Sequence, residues 1–303
     1  MTAVRTDLAM ENLGCDSSFP GVDVHRWEES DIQMSEVVIH TEDAARQLGK
    51  PCGNYLTLEC RLLCEHDPDA RLAMANLLGE ELSRMLEPRD DAPVLVVGLG
   101  NRGVTPDALG PATIDKTLVT RHLLSGDYAR SGLRSVCAIA PGVLGVTGVE
   151  TVEMVESLAH KLHPRSILCI DSLAARDSGR IGCTIQVTNT GIQPGSGVGN
   201  HRKALNRESL GVEVIAVGVP TVVYAATLAR DAFALLATPE SDSGEEALAS
   251  MERELLGTEL GNLIVTPRDI DAIVKNCATL IAGGINRALQ PSLSDAEIAQ
   301  MMD

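Results

Sequence analysis

Apolar and polar positions along this chain recur with two periods. Ser35-Glu-Val-Val-Ile39 and Asn54-Tyr-Leu-Thr-Leu58 read as strands, with a short helix over 42–48 between them. From Asp69 to Leu86, the residues Leu72, Met74, Leu77, Leu78, Leu82 and Met85 recur close to helical spacing and predict an amphipathic helix. Short apolar runs at 94–97, 135–140, 167–170 and 213–219 then read as buried strands. Helices are predicted between and after them over 111–124, with Pro111 in the first turn, over 151–162, and over 222–236. Residues 181–188 alternate, with Ile181, Cys183, Ile185 and Val187 on one face, as a half-buried strand does. Thr266 as N-cap and Pro267 at the first position open a final helix with the stripe Ile270, Ile273, Val274, Cys277, Leu280, Ile281. Strands alternating with helices predict an α/β fold, a three-layer open, mostly parallel sheet flanked by helices, with small added β elements.

Polar stretches mark the remainder. Residues 1 to about 33 are irregular and are expected to be weakly ordered, and 238–257 read as an acidic, serine-rich surface loop. There is no internal repeat and no boundary between two independent domains.

Composition narrows the functional classes. Hydrophobic residues make up 44% of 303 residues and aromatics only 2%, so the core is Val, Ile, Leu and Ala, as suits a helix-covered sheet. A net charge of −17 and few stacking rings argue against direct nucleic-acid binding. No stretch has the roughly 20 apolar residues of a membrane span, and the start has no apolar signal region, so a cytoplasmic protein is expected. The eight cysteines form no Cys-x-x-Cys pair and read as reduced thiols, most of them buried.

Two aspartates stand where buried runs end: Asp107 in Gly98-Leu-Gly-Asn-Arg-Gly-Val-Thr-Pro-Asp107, and Asp171 after Ile167-Leu-Cys-Ile170. Carboxyl ends of strands in an open sheet line one crevice. Two carboxylates meeting there share a proton, so one activates water while the other protonates an amine leaving group. Asp115 is the lesser candidate. Asn101 or a loop N–H at Gly100 is placed to stabilise an oxyanion. Gly191-Ile-Gln-Pro-Gly195-Ser-Gly197-Val-Gly199-Asn-His-Arg202 has no phosphate-loop ending. Its glycines allow an extended peptide to approach, and Arg176 or Arg202 would bind an acidic side chain. Two alternatives stay open. Asp107, Asp171 and His201 would serve a metallopeptidase, although no cofactor or metal is expected. Gly98-x-Gly100-x-x-Gly103 would serve a nucleotide-binding protein, although Val104-Thr-Pro106 follows where that turn should become a helix.

Together these pieces resemble the germination protease family of spore-forming bacteria, endopeptidases that degrade small acid-soluble spore proteins. The resemblance is carried by Val4-Arg-Thr-Asp-Leu-Ala9, Val96-Val-Gly-Leu-Gly-Asn101, Val104-Thr-Pro-Asp-Ala-Leu-Gly-Pro111, Pro141-Gly-Val-Leu-Gly-Val-Thr-Gly-Val-Glu-Thr151, Ile170-Asp-Ser-Leu-Ala-Ala-Arg176, the 191–200 loop, Val214-Ile-Ala-Val-Gly-Val-Pro-Thr-Val-Val223 and Ala282-Gly-Gly-Ile-Asn286. It implies a fold similar to that of hydrogenase maturation peptidases, a homotetramer in the spore or forespore interior, and Asp107 and Asp171 as the catalytic pair. It also implies synthesis as a zymogen with residues 1–7 as pro-segment and 8–303 as a single peptidase domain. Family substrates are cut after an acidic residue and before a large apolar residue followed by Ala, so Thr6-Asp7-Leu8-Ala9 implies self-cleavage between Asp7 and Leu8. Two departures are a shorter segment at 238–257 and a shorter pro-segment than familiar members carry.

Overall fold

A computed structural model describes residues 6–13, 19–86, 92–124, 132–195, 203–236 and 263–302. Its elements in chain order are α1 (Ala9–Asn12), β1 (Val22–Glu29), β2 (Ile32–Ile39), α2 (Glu42–Leu48), β3 (Gly53–Glu59), α3 (Pro68–Met85), β4 (Val94–Gly98), α4 (Leu109–Ile114), β5 (Val136–Ile139), α5 (Leu144–Thr147) and α6 (Thr151–Leu162). They continue with β6 (Ser166–Ala175), β7 (Thr184–Thr188), α7 (Arg207–Leu210), β8 (Glu213–Tyr224), α8 (Ala225–Leu236), β9 (Ile264–Val265), α9 (Ile270–Leu289) and α10 (Asp295–Met302).

The strands form one open mixed sheet in the order β1-β2-β3-β7-β8-β6-β4-β5, with β9 on β8. Strands β5, β4, β6 and β8 run parallel, and the half from β8 through β7 and β3 to β1 is antiparallel. The α/β expectation therefore holds, with an antiparallel share larger than small additions. Alternation along the strands sends side chains to two apolar layers. Val96, Leu168, Ile170 and Val217 meet α3 and α9 on one face. Val97, Ile167, Cys169 and Ala216 meet α6 and α7 on the other.

Local chemistry explains the helix ends. Asp67 caps α3 by accepting from the N–H groups of Asp69 and Ala70, each at 2.8 Å, and Pro68 occupies its first position. Thr41 caps α2, and Gly49 closes it in the left-handed region at φ 65°.

Four expectations are corrected. The described residues through 33 (6–13 and 19–33) are not irregular: Leu8 and Ala9 are buried, and β1 pairs along its whole length with β2. Its side chains are mostly exposed, so β1 carries no apolar pattern to announce it. The helix expected over 111–124 ends at Ile114. The last long helix starts at Ile270, because the Thr266 hydroxyl donates to the Thr221 carbonyl at 2.8 Å instead of capping. Strand β6 runs on to Ala175. The 238–257 loop lies outside the described residues. Among the described residues, no helix is long and apolar enough to cross a membrane.

Candidate active site

Strands β4 and β6 pair from Val94 opposite Ser166 to Gly98 opposite Ile170, and the Leu99 N–H closes the ladder on the Ile170 carbonyl at 2.8 Å. The chain of β4 then turns away while β6 continues against β8. Asp171 is thus not at a strand end but is the first β6 residue beyond the reach of β4. It lies opposite Gly218 of β8, which lies opposite Gln186 of β7. Residues abreast in a sheet face the same side, so Asp171 and Gln186 look over a glycine with no side chain between them. Asp171 is buried, and its Oδ1 accepts from the Ser172 N–H at 2.9 Å. Below it, burial pushes the Cys169 thiol well above its ordinary range, and the Asp171 charge adds to the effect.

The glycines after β4 serve packing. A Cβ on Gly98 would lie 2.4 Å from the Gly110 carbonyl, so this glycine admits α4 against the strand. Gly100 has φ +109°, and a Cβ there would lie 2.0 Å from the Asp107 carbonyl oxygen and 3.0 Å from its Oδ1. The Asn101 N–H donates to that carbonyl at 2.9 Å, and the Asp107 N–H donates to Val104 at 2.8 Å. This fold-back places the half-buried Asp107 against Gly100. Asn101 Oδ1 accepts from the Gly103 N–H at 2.9 Å, so its carbonyl end closes the loop. Asp115 pairs with Arg102, whose guanidinium hydrogen bonds hold its carboxyl below the usual range.

Asp107, Asp171, Gly100, Gln186 and Gly195 line one cleft of about 970 Å³. Gly197, Gly199, His201 and Arg202 lie outside the described residues. Arg176 is not a cleft-lining residue; its backbone N–H donates to Glu11 at 2.7 Å. Among the described residues, no group of three or more His, Cys, Asp or Glu is arranged to hold a metal ion.

The N-terminal segment enters the same cleft, where Thr6 and Asp7 line the wall. The Asp7 N–H donates to the Ala174 carbonyl, and the Ala174 N–H donates back to Asp7 Oδ2, each at 2.9 Å. Leu8 is fully buried against Leu173, Ala175, Ile181 and Val223. The Asp7 carbonyl accepts from Lys50 Nζ at 2.9 Å and from Gln186 Nε2 at 3.0 Å. Gln186 Oε1 in turn accepts from the Ala9 N–H at 2.7 Å. Burial lowers the Lys50 pKa below its ordinary value, while Asp7 and Glu11 pull it up.

Lys50 and Gln186 are the residues that sequence reasoning missed. Lys50 follows a helix cap like any surface lysine. Gln186 occupies what alternation marks as the polar face of β7, but the sheet buries both faces. A glutamine between two threonines in a strand buried on both sides is the signal that could have found it.

The germination protease family model matches residues 4–238, more than half of the chain. The chain belongs to the germination protease family. It is 42% identical to the germination protease of Caldanaerobacter subterraneus subsp. tengcongensis, over 99% of this chain and 98% of the relative. Identity is 41% to that of Clostridium perfringens over the full length of both, and 38% to that of Priestia megaterium over 95% and 94%. As a member of this peptidase family the chain is a peptide-bond hydrolase, and the cleft holding both aspartates is the candidate germination protease active site.

Proposed function

We propose that the chain is the endopeptidase that opens the degradation of small acid-soluble spore proteins during germination, working in the spore interior as a homotetramer. It is made as a precursor that cuts itself between Asp7 and Leu8, and it cuts substrates after Glu or Asp, before a large apolar residue followed by Ala. Water held between Asp107 and Asp171 attacks the carbonyl carbon. One carboxylate takes a proton from the water, and the other gives its proton to the departing amine. The observation that carries this reading is that both aspartates and the acidic Asp7, followed by Leu8 and Ala9, belong to one cleft.

The test is purified Asp107→Asn and Asp171→Asn. Each is expected to keep residues 1–7 by mass spectrometry and to leave a Glu-Ile-Ala peptide uncut. Maturation and cleavage at the wild-type rate by either variant would end the aspartate-pair reading.

A further inference from the structure

The Asp7–Leu8 bond is held in a particular way. Two donors from different elements converge on its carbonyl oxygen. Lys50 comes from the turn after α2, and Gln186 comes from β7. The amide of Gln186 also spans the bond, since its oxygen takes the Ala9 N–H two residues further on. On the opposite side, Ala174 holds both the N–H and the carboxylate of Asp7. The Asp7–Leu8 peptide unit itself is held at both ends, its carbonyl by Lys50 and Gln186 and its N–H by the Thr6 hydroxyl at 3.1 Å, while the Leu8 side chain is sunk among Leu173, Ala175, Ile181 and Val223. Nothing in the packing of an inert N-terminal segment calls for an ammonium and an amide on one carbonyl oxygen. One neutral donor would satisfy it, and sinking a lysine head group into a half-buried site is costly.

We propose that Lys50 and Gln186 form the oxyanion site for self-cleavage, with Gln186 also setting the register by reading the backbone on both sides of Leu8. This rests on the reading that Asp7–Leu8 is the bond the chain cuts. When the water oxygen bonds to the Asp7 carbonyl carbon, the carbonyl electron pair moves onto the oxygen. That oxygen then carries the negative charge, and the Lys50 ammonium and the Gln186 N–H already donate to it in the uncut chain, at 2.9 and 3.0 Å. Collapse breaks the C–N bond and the proton from the second aspartate goes to the Leu8 nitrogen; the new carboxyl group then gives its remaining proton to that amine, so the products are the Asp7 α-carboxylate and the Leu8 ammonium, with the proton of the pair left on the first aspartate. The two acidic neighbours, Asp7 and Glu11, oppose the lowering that burial imposes on the Lys50 ammonium. Gln186 lies abreast of Asp171 across Gly218, so the oxyanion donor and one member of the water-activating pair are set by the same three-strand register.

The experiment follows maturation of the full chain by intact mass. Lys50→Met and Gln186→Leu are each expected to slow loss of residues 1–7 by about 10²–10³-fold. Lys50→Arg, which keeps a charged donor, should recover to within about tenfold. Gln186→Glu keeps the acceptor for Ala9 but replaces the donor with a carboxylate oxygen. It should be as slow as Gln186→Leu, and it decides the matter if the leucine variant does not fold. Hydrogen exchange of the Asp7 and Leu8 amides, measured in the uncut Asp107→Asn background, should stay protected when Lys50→Met is added. Loss of that protection would make Lys50 an anchor and overturn the proposal. So would wild-type maturation of Lys50→Met, Gln186→Leu or Gln186→Glu while Asp107→Asn stays uncut. If Asp107→Asn itself matures normally, the underlying reading of the cleft fails first and takes this one with it.

Discussion

Replacing Gly100 by alanine tests whether the position of Asp107 matters to the chemistry. The new methyl would stand 2.0 Å from the Asp107 carbonyl oxygen, where 3.4 Å is an ordinary contact. Backbone, not a flexible side chain, has to give way, so the Asp107 turn retreats by more than an ångström or the loop re-forms. The φ of +109° adds strain of about 1–2 kcal/mol for a residue with a Cβ, and overpacking adds about 1–3 kcal/mol. A reacting group displaced by about 1 Å costs about 10²-fold in rate. Gly100→Ala is therefore expected to unfold about 2–5 kcal/mol more easily in a urea titration. Cleavage of a Glu-Ile-Ala peptide should fall about 100-fold under conditions where the variant is fully folded. Gly103→Ala is the matched control from the same loop: its methyl would meet only Asn101 Oδ1, at 3.3 Å, so near-wild-type rate and stability are expected. Wild-type cleavage by folded Gly100→Ala, or an equal loss in both variants, would refute the claim that this glycine sets Asp107 for catalysis.

Other predictions follow from single features. Leu8→Ala empties a fully buried site and should loosen the docked segment by about 2–5 kcal/mol, read as faster exchange of the Asp7 and Ala9 amides in the uncut chain. Asn286 accepts from the Leu118 N–H at 2.8 Å and donates to the Lys116 carbonyl at 3.0 Å. Asn286→Ala leaves buried backbone groups unpaired and should cost about 2–5 kcal/mol by urea titration. Lys50 titrates below 10.5 when folded, so between that lowered value and 10.5 the unfolded chain binds more protons than the folded one. Its contribution to stability therefore rises with pH across that window, and Lys50→Met should flatten the slope in denaturation curves collected at successive pH values below 10.5.

The sequence made the two central layers readable because their elements obey a single period. Helix α6 spans Thr151–Leu162, as its apolar spacing implies, and the uniformly apolar β4 is buried throughout. Strand β1 was not legible. Its Val22-Asp-Val-His-Arg-Trp-Glu-Glu29 run is held by hydrogen bonds to β2 rather than by an apolar face. The true extent of β6 was hidden for a related reason: Asp171 reads as a stop, yet the ladder to β8 carries the strand through it. Asp107 and Asp171 could be named from their flanking runs. Lys50 could not, and Gln186 offered only its polarity within a doubly buried strand, since the meaning of both arises when residues 7 and 9 are laid beside them by contacts far away in the chain.

On the proposed cut between Asp7 and Leu8, the burial of Leu8 would give cleavage a direction. Before the cut, the Leu8 nitrogen is a neutral amide bonded to the Thr6 hydroxyl at 3.1 Å, in a place walled by aliphatic side chains. After the proposed cut the same atom would be an ammonium, which asks for more solvation than an amide N–H does beside an aliphatic wall. The severed end would be drawn toward water, rejoining discouraged, and the hollow that holds the leucine freed for the apolar residue of an incoming substrate.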